Sequence, residues 1–196
     1  LQEGGFTYET TLFGTIEGEL GGDYQQKNTN TLLSAIKILL DKGFRITANS
    51  VRKGFTNVCR TTGFTGRWQT ISKTPHTVCD AGHNIGGIKY IVGQLERESK
   101  RHTALRIVFG MVNDKDITAV LAMMPTNARY YFTQASIKRA MPADELQAKA
   151  ASYGLKGDSY PCVEAALEAA RRDCVETDFI FVGGSCFIVA DLLSCC

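Results

Sequence analysis

The chain has 196 residues, 44% of them hydrophobic and 21% charged. That suits a soluble protein holding one large domain, or one domain plus a piece of another. Its net charge of +2 gives no broad electrostatic footprint for nucleic acid or an anionic membrane surface, and no apolar run approaches the roughly 20 residues of a bilayer span. Seven cysteines, at 59, 79, 162, 174, 186, 195 and 196, form no C-x-x-C pair. They read as those of a reducing, cytoplasmic protein without a zinc site, with Cys195-Cys196 as a frayed tail. The start Leu1-Gln2-Glu3-Gly4-Gly5 is polar and glycine-rich, unlike a secretory leader.

In chain order, residues 6–14 and 16–20 alternate in part and predict strand pieces, which Gly21-Gly22 stops. A helix is predicted over 23–42, where Leu32, Leu33, Ala35, Ile36, Leu39 and Leu40 share one face and Gly43 closes the last turn. Residues 45–58 suit a further short helix ending near Lys53-Gly54. The segment 60–66 is polar and punctuated by Gly63 and Gly66, which marks a linker and a domain boundary. Beyond it, strands are predicted at 77–79, 105–111, 129–133, 157–160 and 178–182. Helices are predicted at about 85–98, 115–123, 142–152, 161–173 and 185–194. Pro142 followed by Asp144 and Glu145 suits a first helical turn. Repeated strand–helix order implies an α/β fold, a Rossmann-like, mostly parallel sheet with helices on both faces. Residues 1–58 cannot bury a full core and read as the end of a truncated, larger domain; residues 59–196 form the α/β domain.

Four constellations carry polar chemistry. In Val78-Cys79-Asp80-Ala81-Gly82-His83-Asn84 an apolar run delivers an acid, small residues, a histidine and an amide into a helix start. Strand ends that feed helix N-termini hold the ligands of open α/β sheets. Asp80 and His83 there suit a ribose, phosphate or carboxylate; the alternative is a helix cap with a hydrogen-bonded histidine. In Gly66-Arg67-Trp68-Gln69, Arg67 could clamp phosphate, or be a surface arginine beside a packed tryptophan. In Gly110-Met111-Val112-Asn113-Asp114-Lys115-Asp116 the acids suit caps, while Lys115 could reach the strand-end cleft as a point charge. In Phe181-Val182-Gly183-Gly184-Ser185, Ser185 can cap the next helix beside backbone N–H groups suited to an anion. Ser185 is not in a G-x-S-x-G elbow, so it does not read as a hydrolase nucleophile.

These motifs, together with Asp23-Tyr24-Gln25-Gln26-Lys27-Asn28, follow one another in the order and spacing of a known family. The chain resembles the folylpolyglutamate and dihydrofolate synthases of the Mur ligase family across nearly its whole length. The resemblance implies that 1–58 ends a central ATP-binding domain and that 59–196 is the C-terminal, glutamate ligase domain. It implies a reaction in which ATP activates a folate carboxylate as an acyl phosphate and the amino group of L-glutamate displaces phosphate, with Mg2+ bridging the phosphates. The acceptor would be a reduced folate or dihydropteroate, and the protein a monomer without nucleic-acid or membrane partners. Carried over position by position, Asn28 matches the asparagine beside the nucleotide base and Arg67 the arginine on the ATP phosphates. Asp80 matches the acid on the ribose or nucleotide. His83 matches the catalytic histidine of an Asp-Gly-Ala-His-Asn turn, and Lys115 and Ser185 face the incoming glutamate. Tyr24 stands where the family commonly has histidine, and the small pair appears inverted as Ala81-Gly82.

One departure stands out: no G-x-x-x-x-G-K-[ST] phosphate loop occurs in these residues. The resemblance puts that loop, the Mg2+ ligands and most of the folate pocket in an absent N-terminal half. The chain alone is therefore expected to be inactive, with domain closure completing the ATP site in the intact enzyme. Two other readings compete: a stand-alone, non-catalytic nucleotide-binding or regulatory module, and a Rossmann-type oxidoreductase. The oxidoreductase is disfavoured because no G-x-G-x-x-G follows the first strand.

Overall fold

The computed structural model describes residues 5–113 and 117–195, which divide by contact into two compact units between Gln69 and Thr70. In the first, strands β1 (Phe6–Thr10) and β2 (Gly14–Gly18) pair antiparallel, with Phe6 opposite Gly18. Three helices follow: α1 (Gln25–Asp41), α2 (Ala48–Thr56) and α3 (Val58–Thr62). Phe13, Ile16, Val51 and Phe55 form the core of this unit, with Tyr8, Leu33, Ile36 and Leu40 packed on it. Helix α2 starts later than its periodicity suggests because Thr47 and Ser50 cap it reciprocally, each side chain bonding the other's backbone N–H.

The predicted apolar face of α1 is divided. Leu33, Ile36 and Leu40 reach the core, whereas Leu32 and Leu39 are exposed together with Ile38 and Phe44. Gly43 does end the helix as expected, at φ +88°. The start of the predicted linker is helical instead. Its polar residues hid α3, whose Thr62 hydroxyl donates back to the Val58 carbonyl and whose end is set by Gly63.

The second unit is a six-stranded sheet ordered β3-β4-β8-β5-β6-β7. Its strands are β3 (Gln69–Lys73), β4 (His76–Asp80), β5 (Leu105–Phe109), β6 (Arg129–Phe132), β7 (Lys156–Ser159) and β8 (Phe179–Gly183). The β4–β8, β8–β5, β5–β6 and β6–β7 pairs are all parallel. Strand β3, at the edge, was not predicted, because the sequence Gln-Thr-Ile-Ser-Lys is polar and only partly buried.

Helices α4 (Ile85–Glu98), α5 (Thr118–Leu121) and α6 (Ala143–Ala151) step outward from strand to strand, and α7 (Val163–Asp173) returns from β7 to β8. Right-handed crossovers running in opposite directions place helices on both faces. Val108, Ile180, Val182 and Cys79 share one core with α7 and α8 (Cys186–Ser194), including Ala166, Ala170, Ile188 and Leu192. Strand alternation turns Ile107, Phe109 and Phe181 to the other face, where α4 buries Ile88, Ile91 and Leu95. Every residue of β8 is buried, as its nearly unbroken apolar run requires of a central parallel strand. Among the described residues, no helix is long and apolar enough to cross a membrane.

A polar network crosses the sheet beneath α7. Arg106 Nε donates to Asp178 Oδ2 at 2.8 Å and its Nη1 donates to the Tyr131 hydroxyl at 3.0 Å; that hydroxyl donates to Asp173 at 3.0 Å. Burial pushes the Tyr131 phenol above its ordinary pKa of 10.0, with Arg106 opposing and Asp173 adding to the shift. Burial also raises the phenols of Tyr130 and Tyr160. In the unfolded chain these phenols ionise near pH 10, while the native state keeps them protonated. Above that pH the native state therefore binds more protons than the unfolded one, and stability falls as pH rises. Tyrosinate absorbance should show three of the chain's 7 tyrosines titrating late, together with loss of far-UV circular dichroism. A single titration step near pH 10 with the fold intact would contradict this packing.

Candidate functional site

The register of the parallel strands lines up their C-terminal ends. Asp80 of β4 lies opposite Gly183 of β8, which lies opposite Phe109 of β5, which lies opposite Phe132 of β6. Gly110 N donates to the Gly183 carbonyl at 3.2 Å and Thr133 N to the Phe109 carbonyl at 2.9 Å, so the chain stays packed one residue past the strands. This row is the edge at which ligands of open α/β sheets are held.

At one end of it Asp80 is fully buried, and its Oδ1 accepts from Gly82 N at 2.7 Å. The bond fixes the turn that carries His83. The imidazole Nδ1 of His83 lies 3.0 Å from the Ala81 carbonyl. In the neutral ring this favours the tautomer with the proton on Nδ1, leaving Nε2 as acceptor. Asn84 caps α4, its Oδ1 accepting from Gly87 N at 2.8 Å. On the neighbouring strand Ser185 is buried and caps α8, its Oγ accepting from Phe187 N at 3.2 Å. Neither helix has an acid in its first turn. Two positive helix ends thus start from adjacent strands, an arrangement suited to an anion.

The close approach of β8 to β5 depends on glycine. At Gly184, φ is +98°, and a Cβ would stand 2.6 Å from the Gly110 carbonyl oxygen and 2.6 Å from the Phe109 ring.

The structure therefore brings Asp80, His83 and Ser185 to one edge of the second unit. Lys115 lies outside the described residues, as does the start of the helix predicted at 115–123. Asn28 and Arg67 belong to the first unit. There they line one cavity of about 640 Å3, with Gln25, Thr29, Phe55 and Phe64 among its other walls. Asn28 is exposed, and its amide donates to Gln25 Oε1 at 2.9 Å. The Arg67 guanidinium stands 4.8 Å over the Phe64 ring and donates to the Gly66 carbonyl at 3.0 Å. Its neighbour Trp68 is buried at φ +44°. A bulky residue rarely adopts that conformation, which costs about 1–3 kcal/mol and is tolerated mainly at functional turns.

Sequence reasoning missed Thr133. It follows β6 at the strand-end row, and its hydroxyl is buried without a hydrogen-bond partner. Nothing in the polar run after β6 singles it out; only the register does.

In the second unit, two helix N-termini starting from adjacent strands and the His83 imidazole suit an anionic group such as a phosphate or a carboxylate; in the first unit, considered by itself, the cavity is lined by an amide and a guanidinium. Among the described residues, the one group of three or more metal-ligating side chains is His76, Glu98 and His102, at the other end of the strands.

Comparisons with known proteins agree with this fold. A family model described as the Mur ligase, glutamate ligase domain, matches residues 66–186. The dihydrofolate synthase/folylpolyglutamate synthase of Escherichia coli K12 is 27% identical over 181 residues, covering 92% of this chain and 40% of its own length. The chain thus spans about two fifths of this curated relative. Among solved structures, E. coli FolC in complex with DHPP and ADP superposes over 100% of the chain and 44% of its own, with TM-score 0.77 and 24% identity, which supports the fold. A bifunctional folylpolyglutamate synthase/dihydrofolate synthase with Mn, AMPPNP and L-glutamate bound, of the same type as one solved from Yersinia pestis, matches at TM-score 0.67 and 25% identity. That match covers 82% of this chain and 37% of the other.

Proposed function

Because the chain belongs to the Mur ligase family through its glutamate ligase domain, we propose that it is part of an ATP-dependent ligase that adds L-glutamate to a folate through an acyl phosphate. The acceptor is a reduced folate, with dihydropteroate as a further substrate class. The observation that carries this reading is the strand-end row. Asp80, His83 and Ser185 stand at one edge, where two helices without first-turn acids start from adjacent strands. Such an edge stabilises negative charge by fixed dipoles, the main requirement of phosphoryl and acyl transfer.

In this reading Asn28 and Arg67 hold the nucleotide, at its base and phosphates, and Asp80 orders the nucleotide side of the turn. His83 acts at the reacting groups, and Lys115 and Ser185 receive the glutamate. Residues 1–58 end a central ATP-binding domain and 59–196 form the glutamate ligase domain. Leu32 and Leu39, exposed on one side of α1, support the first assignment, since such a face needs a covering partner. The divalent ion, when bound, neutralises phosphate charge, and its ligands come from beyond this chain. We place the protein in the cytoplasm as a monomer.

The chain by itself is then inactive, since it carries no Gly-Lys-Ser or Gly-Lys-Thr loop. The test is calorimetric titration with ATP and Mg2+, plus ADP release in the protein that joins this chain to the remainder its relatives possess. Expected are tight ATP binding and glutamate- and folate-dependent turnover in the joined protein, with weak or absent binding by this chain. Micromolar ATP affinity of this chain alone, about −8 kcal/mol, would replace the reading with that of a stand-alone nucleotide-binding module.

A further inference from the structure

The chain holds 3 histidines. Two of them meet at the edge of the sheet opposite the strand-end row. His76 opens β4, and His102 follows the last turn of α4. Their rings lie 5.6 Å apart, and both pack on Phe179, at 5.0 and 5.2 Å. Glu98, one helical turn before His102, completes the group. One ligand atom from each of the three residues lies within 4.8 Å of the other two. The side chains of Glu98 and His102 are 13% and 18% exposed, so the group sits in a half-buried recess with an aromatic floor.

We propose that His76, Glu98 and His102 form a binding site for a transition-metal ion of the Zn2+ class. Two imidazoles and one carboxylate select zinc or its neighbours cobalt and nickel over magnesium and calcium. The spacing agrees with this. Zinc ligands stand about 2.0–2.1 Å from the metal, which sets tetrahedral neighbours about 3.4 Å apart; His102 Nδ1 lies 3.4 Å from Glu98 Oε2 and 3.1 Å from the Glu98 carbonyl oxygen, a contact the ring gives up when that nitrogen turns its lone pair to the metal. His76 closes the remaining gap by a small ring movement, and water fills the fourth position. The second oxygen of Glu98 is held by Arg101 at 3.3 Å, which orients the carboxylate from outside the group.

The bound ion ties the first residue of β4 to the C-terminal turn of α4. Four residue steps along β4 separate His76 from Asp80, about 13 Å, so the ion braces the sheet without entering the strand-end site. Cysteine spacing gives no hint of such a site; the sequence signal is Glu98-x-x-x-His102 closing a helix. The plainer reading is an imidazole that caps α4 and pairs with Glu98 without any metal.

The test is titration of the untagged chain with Co2+, followed by competition with Zn2+. Expected are one equivalent bound with micromolar affinity, visible bands of tetrahedral cobalt without thiolate charge transfer, and displacement by Zn2+. At a Zn2+ concentration about 100 times Kd the melting temperature should rise by about 5 °C. His102→Asn and Glu98→Gln should each weaken binding at least tenfold, while Cys162→Ser and Cys195→Ser leave it unchanged. Glu98→Gln keeps the shape of the side chain, so an unchanged melting temperature in EDTA shows that the variant is folded. Thiolate bands, binding unaltered in both His102→Asn and Glu98→Gln, or no binding below about 1 mM would overturn the site.

Discussion

Replacing Gly184 with alanine should destabilise the second unit by about 3 kcal/mol or more, whereas the same change at Gly154 should cost about 1 kcal/mol. Both glycines sit at positive φ, +98° and +75°, so both substitutions carry backbone strain. They differ in what the new methyl group meets. At Gly154 the nearest atom is a Thr126 methyl at 3.8 Å, an ordinary contact. At Gly184 it is the Gly110 carbonyl oxygen at 2.6 Å, with the Phe109 ring as close. That carbonyl cannot retreat cheaply, because the Gly110 N–H is bonded to the Gly183 carbonyl and the Phe109 carbonyl to Thr133. Relief would pull β5 away from β8 at the row that holds the candidate site. Urea denaturation of the two variants against the parent measures the difference. Equal midpoints would mean that β5 and β8 do not approach as closely as described.

The same positions show what a sequence can and cannot reveal here. Strands β5 and β8 were legible because buried parallel strands read as apolar runs, such as Leu105-Arg106-Ile107-Val108-Phe109, bounded by glycine. The turns after β4 and β8 were legible because Asp80, His83 and Ser185 are polar residues placed where apolar runs stop. Strand β3 and helix α3 were not: one is a polar edge strand and the other a polar five-residue helix, so neither buries a periodic face. The insertion of the last strand between β4 and β5 was equally hidden, since strand order follows from how helices cover the sheet and not from local pattern. Thr133 and the His76–His102 pair fall in the same class. Each becomes visible only when segments distant in the chain are brought side by side. For α1, periodicity identified the apolar residues but not which of them the first unit buries.

Within the proposed ligase, His83→Ala in the protein that joins this chain to the remainder should lower kcat by about 10²–10³, with ATP affinity within about threefold of the parent. The loss should fall on the chemical step because of how the ring is held. Its Nδ1 is engaged by the Ala81 carbonyl, so Nε2 is the nitrogen available to a reacting group at the start of α4. The fold should not suffer, since the ring is half-buried and the turn is fixed separately by Asp80 and Gly82. Unchanged melting temperature would confirm that the variant reports on chemistry. Arg67→Ala should give the opposite pattern, weakening ATP binding about tenfold or more. Its guanidinium, stacked on Phe64 in the cavity that also holds Asn28, serves binding rather than the reacting atoms. Measuring kcat, KM for glutamate and ATP affinity in both variants separates the two roles. If His83→Ala keeps kcat within threefold, or if both variants lose ATP affinity alike, the strand-end histidine binds nucleotide and the group acting on the acyl phosphate must be sought elsewhere along the row.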